Sequence, residues 1–146
     1  LGSKSIMSVV PHVVVSALSA WTNYSFVVAA ATEAGEGVPS QAVICSTAQD
    51  VPEAVSGIKA VVSGPQTVMV SWLPPEHPNG RITHYTVHWT LATARTRPHT
   101  VRLEKHTHHH KIIKLMQKKY EVWVKASTEV GEGPSSKVVK VEPTRK

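Results

Sequence analysis

Tyr24-Ser25-Phe26-Val27-Val28-Ala29-Ala30-Ala31-Thr32-Glu33-Ala34-Gly35-Glu36-Gly37 returns 96 positions later as Tyr120-Glu121-Val122-Trp123-Val124-Lys125-Ala126-Ser127-Thr128-Glu129-Val130-Gly131-Glu132-Gly133. Two copies of one module are present. Ser40 and Ser136 keep the register, ahead of Ala42-Val43-Ile44 and Lys137-Val138-Val139. Each copy therefore ends in a strand, a glycine-rich hairpin turn and a second strand. A phosphate loop is a poor reading of the Gly-x-Gly pairs, because no helical periodicity follows and the next strand begins within a few residues.

Working back from Tyr120, the second copy supplies five more strands: Ile58 to Val62, Val68 to Trp72, Ile82 to Leu91, Thr100 to Leu103, and Lys111 to Leu115. With the closing pair they make the order A, B, C, C′, E, F, G. Period-two alternation puts Val68, Val70 and Trp72 on one face, which makes Trp72 the central core aromatic. Pro74, Pro75 and Pro78 cannot continue a central strand, and Asn79-Gly80 marks the turn into strand C. The prediction is an all-β chain of tandem antiparallel sandwiches. Residues 1–49 form the C-terminal part of one domain, 50–52 a linker, and 53–143 a complete domain. The first copy holds the E, F and G strands and at most C′. Its inner face of Tyr24, Phe26 and Val28 is then bare, so further residues or another chain must fill the gap.

Composition agrees with this division. A sandwich of this kind closes at about 100 residues, so 146 residues hold roughly one and a half. A hydrophobic content of 41% with one Phe, many Val and Thr and 10 Pro favours short strands over amphipathic helices. Neither an apolar run long enough to span a bilayer nor a leader is apparent, so the sequence reads as an excised ectodomain segment. Leu1-Gly2-Ser3 fits a cloning remnant as well as native sequence. The single cysteine, Cys45, excludes an internal disulfide framework and a four-cysteine zinc site. Asn23-Tyr24-Ser25 is a glycosylation sequon, which makes Asn23 a candidate acceptor and leans towards secretion.

Trp72 with Pro74-Pro75, Asn79-Gly80 with Ile82-x-x-Tyr85-x-Val87, and Leu115 and Tyr120 ahead of Gly131-x-Gly133 together resemble the fibronectin type III family, an immunoglobulin-like β-sandwich. Leu18 to Tyr24 shows the family's tyrosine-corner spacing of six, whereas Leu115 to Tyr120 is one residue short. Either Ile113 substitutes there or the turn is tightened. At finer grain, Asp50-Val51-Pro52-Glu53, Ile58-Lys59-Ala60, Val70-Ser71-Trp72-Leu73-Pro74-Pro75, Tyr85-Thr86-Val87, Tyr120 to Val124 and Val141-Glu142-Pro143 resemble the Dscam family. Sidekick, contactin-like and receptor tyrosine phosphatase ectodomains share much of this wording. The resemblance implies the extracellular part of a single-pass plasma-membrane receptor of the immunoglobulin superfamily. In it, immunoglobulin domains mediate homophilic recognition and fibronectin domains form the stalk. None of those immunoglobulin domains is in this sequence, so no specificity residue carries over.

Candidate sites follow from the same layout. Asp50 is the only aspartate and sits in the linker, the glutamates scatter over loops and outer faces, and no triad can be assembled with Cys45. The chain is read as not an enzyme, with no catalytic residue, no cofactor and no metal site. His106, His108, His109 and His110 crowd one loop, where solvated histidines are a better reading than zinc ligands. Residues 1–51 carry one Lys against three acids, while 52–146 carry fifteen Lys and Arg against seven Glu. Arg95, Arg97, Arg102, Lys105, Lys111, Lys114, Lys118 and Lys119 lie in one 25-residue stretch opposed only by Glu104, a candidate surface for heparan-sulfate-type glycans. Nucleic acid is disfavoured, because no stacking platform or recognition helix accompanies the charge. Alternation along strand F turns Trp123 outward beside strand C. Trp123 with His84 and His88 at its rim is therefore a candidate contact face for another copy, expected to weaken between pH 7 and 5.5 as the imidazoles charge. The leading reading is a stalk and interaction module of a homophilic adhesion receptor whose partners are copies of itself. The alternative is a glycan-binding module.

Overall fold

The computed structural model describes residues 2–94 and 96–144, so Leu1 and Arg95 lie outside the described residues. The described residues form strands only. They are β1 (Asn23–Phe26), β2 (Ala31–Thr32), β3 (Gly35–Glu36), β4 (Val43–Ser46), β5 (Ser56–Gly64), β6 (Thr67–Leu73), β7 (Ile82–Leu91), β8 (His99–Glu104), β9 (His109–Ile112), β10 (Tyr120–Thr128) and β11 (Val139–Val141). From β5 onward they make two antiparallel sheets, β5-β6-β9 and β11-β10-β7-β8. The core lies between them. Val68, Val70 and Trp72 of β6 and Ile112 of β9 meet Tyr85 and Val87 of β7 and Tyr120, Val122, Val124 and Ala126 of β10, all buried. Trp72 packs on Tyr85 with ring centroids 5.6 Å apart. These faces follow from β-branched and aromatic residues at every second position, each strand burying one side against the opposite sheet.

The sequence repeat is also a repeat of hydrogen bonds. Ser40 N donates to Val28 O at 2.7 Å and Ser136 N to Val124 O at 2.8 Å. In return Val28 N donates to Ser40 Oγ and Val124 N to Ser136 Oγ, each at 2.9 Å. The hydroxyls donate onward to Gln41 O and Lys137 O, both at 3.0 Å. A serine side chain thus replaces one ladder bond where the chain leaves the hairpin, which is why both copies keep serine there.

Both tyrosine corners are formed. Tyr24 Oη accepts from Ser19 N at 2.8 Å, and Tyr120 Oη accepts from Met116 N at 3.0 Å. In each, the residue after the anchoring leucine is the donor, and the residue before it is left-handed, with φ of 59° at Ala17 and 60° at Lys114. The second corner is tightened rather than substituted, since Leu115 is buried and Ile113 is 56% exposed. The additional residue of the first corner is accommodated by a second left-handed position, Trp21, at φ 50°.

Two expectations need correction. Residues 2–22 contain no strand, so the E strand expected in the first copy is not formed. In the second copy strand E (β9) is held by β6, and no described residue before β1 offers such a ladder partner. The histidine run is also not simply a loop. His109 and His110 belong to β9, opposite Ser71 and Val70, and His108 packs edge-on against Tyr85 at 5.7 Å. Pairing with a buried strand outweighs histidine's indifferent strand preference.

Between the two copies the chain is fastened by its polar atoms. Asp50 N donates to Asn79 O at 2.8 Å, and Thr128 Oγ1 to Asp50 O at 2.8 Å. Gln49 Oε1 accepts from Arg81 N at 2.7 Å while its Nε2 donates to Glu129 at 2.8 Å. Gly80 permits this, because a Cβ there would lie 2.6 Å from Gln49 Oε1. The Asn79-Gly80 pair serves both the turn and the junction.

Candidate functional site

The outer face of the β11-β10-β7-β8 sheet is built by register. Trp123 stands opposite His88, and His88 opposite Thr100; Lys125 stands opposite Thr86, and Thr86 opposite Arg102. Side chains at directly opposed positions lie close enough to touch. The His88 ring stacks on the Trp123 indole with centroids 5.6 Å apart and planes 7° from parallel. Its Nδ1 is 2.9 Å from Thr100 Oγ1 and its Nε2 3.1 Å from Thr86 Oγ1. A hydroxyl can donate or accept, so a neutral imidazole is satisfied at both nitrogens in either tautomer. Burial, then the charge of Lys125, holds the His88 pKa below the ordinary imidazole value, with Glu132 opposing. Lys125 is itself paired with Glu132 at 3.2 Å, and no other ion pair is formed among the described residues. The result is a half-buried aromatic slab with fixed orientation, flanked by hydroxyls and one ion pair. Such a surface can stack on or be desolvated by a partner.

His84 is not part of this slab. It stands opposite Ser127 and Glu104, four residues and roughly 13 Å along the strand from His88. Its Nδ1 lies 2.9 Å from Thr83 Oγ1. Burial, then Arg102, lowers its pKa, and Glu132 opposes the shift. Alternation correctly puts His84 on the same face as Trp123, but side alone does not fix distance along the strand.

The basic stretch does not form one plane. Arg102 lies on β8 and Lys111 on β9, strands of opposite sheets, while Lys114, Lys118 and Lys119 sit on the β9–β10 connection. These residues, with Arg97 and Lys105, are all exposed and wrap around one edge of the sandwich. Among the described residues no group of three or more His, Cys, Asp and Glu is placed to hold a metal ion. Asn23 is exposed on β1, its Oδ1 accepting from Ser46 Oγ. Leu18 is half-buried beside the first corner, and Cys45 is exposed opposite Tyr24.

Several residues that shape this surface escape a reading by sequence alone. Thr100 is an ordinary strand threonine until the register brings it to His88, and Glu132 belongs to the Gly-x-Gly turn. Trp89 and His99 stack at 5.6 Å and 22° on the opposite side of the same sheet. A cross-strand alignment of β7 with β8 was the missing signal.

Comparison with known proteins gives a family and, separately, a likeness of fold. The fibronectin type III domain matches residues 53–142. The cell adhesion molecule Dscam1 of Drosophila melanogaster is 41% identical over 132 residues, which is 90% of this chain and 6% of that protein. The human cell adhesion molecule DSCAM is 37% identical over 144 residues, 98% of this chain and 7% of that protein. The chain therefore spans a small fraction of the length of these relatives. Among solved structures, domains d3–d4 of the rat CD45 extracellular region superimpose with a TM-score of 0.72, covering 97% of this chain and 74% of that one at 15% identity, a likeness of fold alone. With its strand order, both tyrosine corners and the family match in agreement, the chain belongs to the fibronectin type III family, and its sequence is similar to a part of Dscam cell adhesion molecules.

Proposed function

We propose that the chain is a stalk and contact module from the extracellular part of a single-pass, membrane-anchored adhesion receptor, and that it binds copies of itself through the Trp123–His88 face. The observation that carries this reading is the stacked pair, a large half-buried aromatic surface of fixed orientation on the outer face of the sheet. The fastened junction at Gln49 to Val51 suits a stalk, since a short linker tied to both neighbouring turns transmits orientation along the chain. In this reading residues 1–49 belong to one domain, 50–52 to the linker and 53–143 to the next. Asn23 carries a glycan, and no catalytic role is invoked.

Sedimentation velocity tests the contact on an ectodomain long enough to complete the first sandwich, so that its bare face adds no association of its own. Self-association should weaken by roughly tenfold or more in Trp123→Ala, the loss typical of a buried aromatic anchor. Because burial lowers the His88 pKa, weakening on acidification should set in at lower pH than it would for an exposed imidazole. Identical sedimentation of wild type and Trp123→Ala would remove the contact and leave only the stalk. A heparan-sulfate-type glycan is the second reading, favoured by the exposed Lys111, Lys114, Lys118 and Lys119, none of which forms an ion pair among the described residues. Its mark would be heparin retention lost on reversing those four charges.

A further inference from the structure

A cleft of about 330 Å³ opens between the end of β7, the start of β8 and the β9–β10 connection. Its floor is the Trp89–His99 stack, and its walls are Ile113, Leu115, Met116 and Tyr120. It lies on the inner side of the sheet whose outer side bears Trp123, since Trp89 stands opposite the buried Val122. The two surfaces are separate.

Two features of this cleft call for a ligand. Ile113 and Met116 are 56% and 50% exposed at its mouth, on a connection whose other exposed residues are Lys114, Gln117, Lys118 and Lys119. Apolar side chains displayed beside a formed cleft gain most when another apolar group covers them. The rim is also cationic, and among the described residues none of its cations is in an ion pair. Lys114 lines the cleft, Lys118 and Lys119 immediately precede Tyr120, and Arg97 is two residues from His99. Lys119 is held close by its carbonyl, which accepts from Ala92 N at 2.9 Å at the end of β7. The nearest acid along the chain, Glu121, belongs to the outer face, opposite Thr90 and Lys140.

We propose that this cleft docks an acidic peptide segment of a partner protein, with one large apolar side chain seated on the Trp89–His99 floor and carboxylates facing the lysines. The volume is at the low end for ligand pockets, enough for one bulky side chain with its adjoining backbone but not for a folded element. A sulfated glycan would use the same cations, yet it has no apolar group to cover Ile113 and Met116. The apolar floor therefore favours peptide over glycan. The inference is independent of self-association through Trp123.

The chain has three methionines, Met7, Met69 and Met116, so methyl-labelled methionine gives one reporter in the cleft and two outside it. The full chain is titrated with a capped pentapeptide carrying one Phe between two pairs of Glu. The expected result is a saturable shift of the Met116 methyl alone, weakened roughly tenfold or more in Lys118→Glu/Lys119→Glu and likewise by high salt. Ile113→Asp, at an exposed site that leaves the core intact, should also abolish it. Shifts of Met7 and Met116 together would mean indiscriminate apolar binding and overturn the proposal. So would equal binding by the peptide with Phe replaced by Gly, or an unmoved Met116 under peptide when a heparin oligosaccharide does shift it.

Discussion

Ser136 and Ser40 make the same three hydrogen bonds in two copies of one module, but at different depths, and this permits an internally controlled test. Ser136 is 4% exposed and its partner Val124 is fully buried, whereas Ser40 and Val28 are exposed. Ser136→Ala leaves Val124 N without an acceptor in a place water does not reach. Orphaning a buried donor costs about 1–3 kcal/mol, and losing the donation to Lys137 O adds about 0.5–1. A total near 2 kcal/mol should lower the melting temperature of a domain this size by roughly 10 °C. Ser40→Ala breaks the same bonds where water can take the hydroxyl's place, so its cost should stay within about 0.5 kcal/mol. Thermal unfolding followed by tryptophan fluorescence gives the global values, and amide exchange at Val124 and Val28 gives the local ones. Equal effects of the two substitutions would refute the argument that burial decides the value of this bond.

Gly133→Ala should destabilise the second domain by about 1–3 kcal/mol in urea unfolding, because its Cβ would run into the carbonyl oxygen of the buried Pro52. Gly37→Ala, whose Cβ would meet only Ala30 O at 3.2 Å, should cost far less. Stability should also fall with acidification. His84, His88 and His110 all have folded pKa values below the ordinary value of about 6.5, chiefly through burial, with Arg102, Lys125 and His109 respectively adding to the shift. The unfolded chain then binds more protons in that window, so their contribution is complete above about pH 6.5 and is lost as pH falls through the folded values. Urea midpoints from pH 7.5 downward should show this decline, and a flat profile through that window would contradict it. Finally, the bare inner face of the first copy, with Val28 75% and Val43 60% exposed, should drive this chain to associate when nothing else covers it. Light scattering showing a compact monomer would contradict that expectation.

The second sandwich was legible because its strands obey one rule at a time. Alternation at Val68, Val70 and Trp72 and at Tyr120, Val122, Val124 and Ala126 names the buried face without knowledge of any partner. Pro74 to Gly80 names the break between strands for covalent reasons, and the repeat names the closing hairpin. What failed needed two strands at once. β9 begins at His109 rather than Lys111 because Ser71 and Val70 offer ladder partners there, and the first copy lacks its E strand because no described residue offers one. The shortened second corner lay between the two cases. Leu115 and Tyr120 showed that something had tightened, but the left-handed turn at Lys114 that achieves it carries no glycine or asparagine to announce it.

The same division explains the candidate sites. Trp123 is visible from one strand as an outward indole, but its environment is cross-strand: the stacked His88, the two threonines that hold that ring, and the ion pair of Lys125 with Glu132. Assigning His84 to the rim required only its side of the sheet, and the register then moved it two rows away. The basic stretch shows the converse error, since Arg102, Lys111, Lys114, Lys118 and Lys119, close in sequence, distribute over both sheets and the β9–β10 connection. Charge density along a chain is a property of the chain, whereas a binding surface is a property of the edge it wraps. That edge is where Trp89, His99, Ile113 and Met116 meet the lysines. In the docking proposed above, the partner supplies an apolar group as well as negative charge, a requirement that charge alone in the sequence did not reveal.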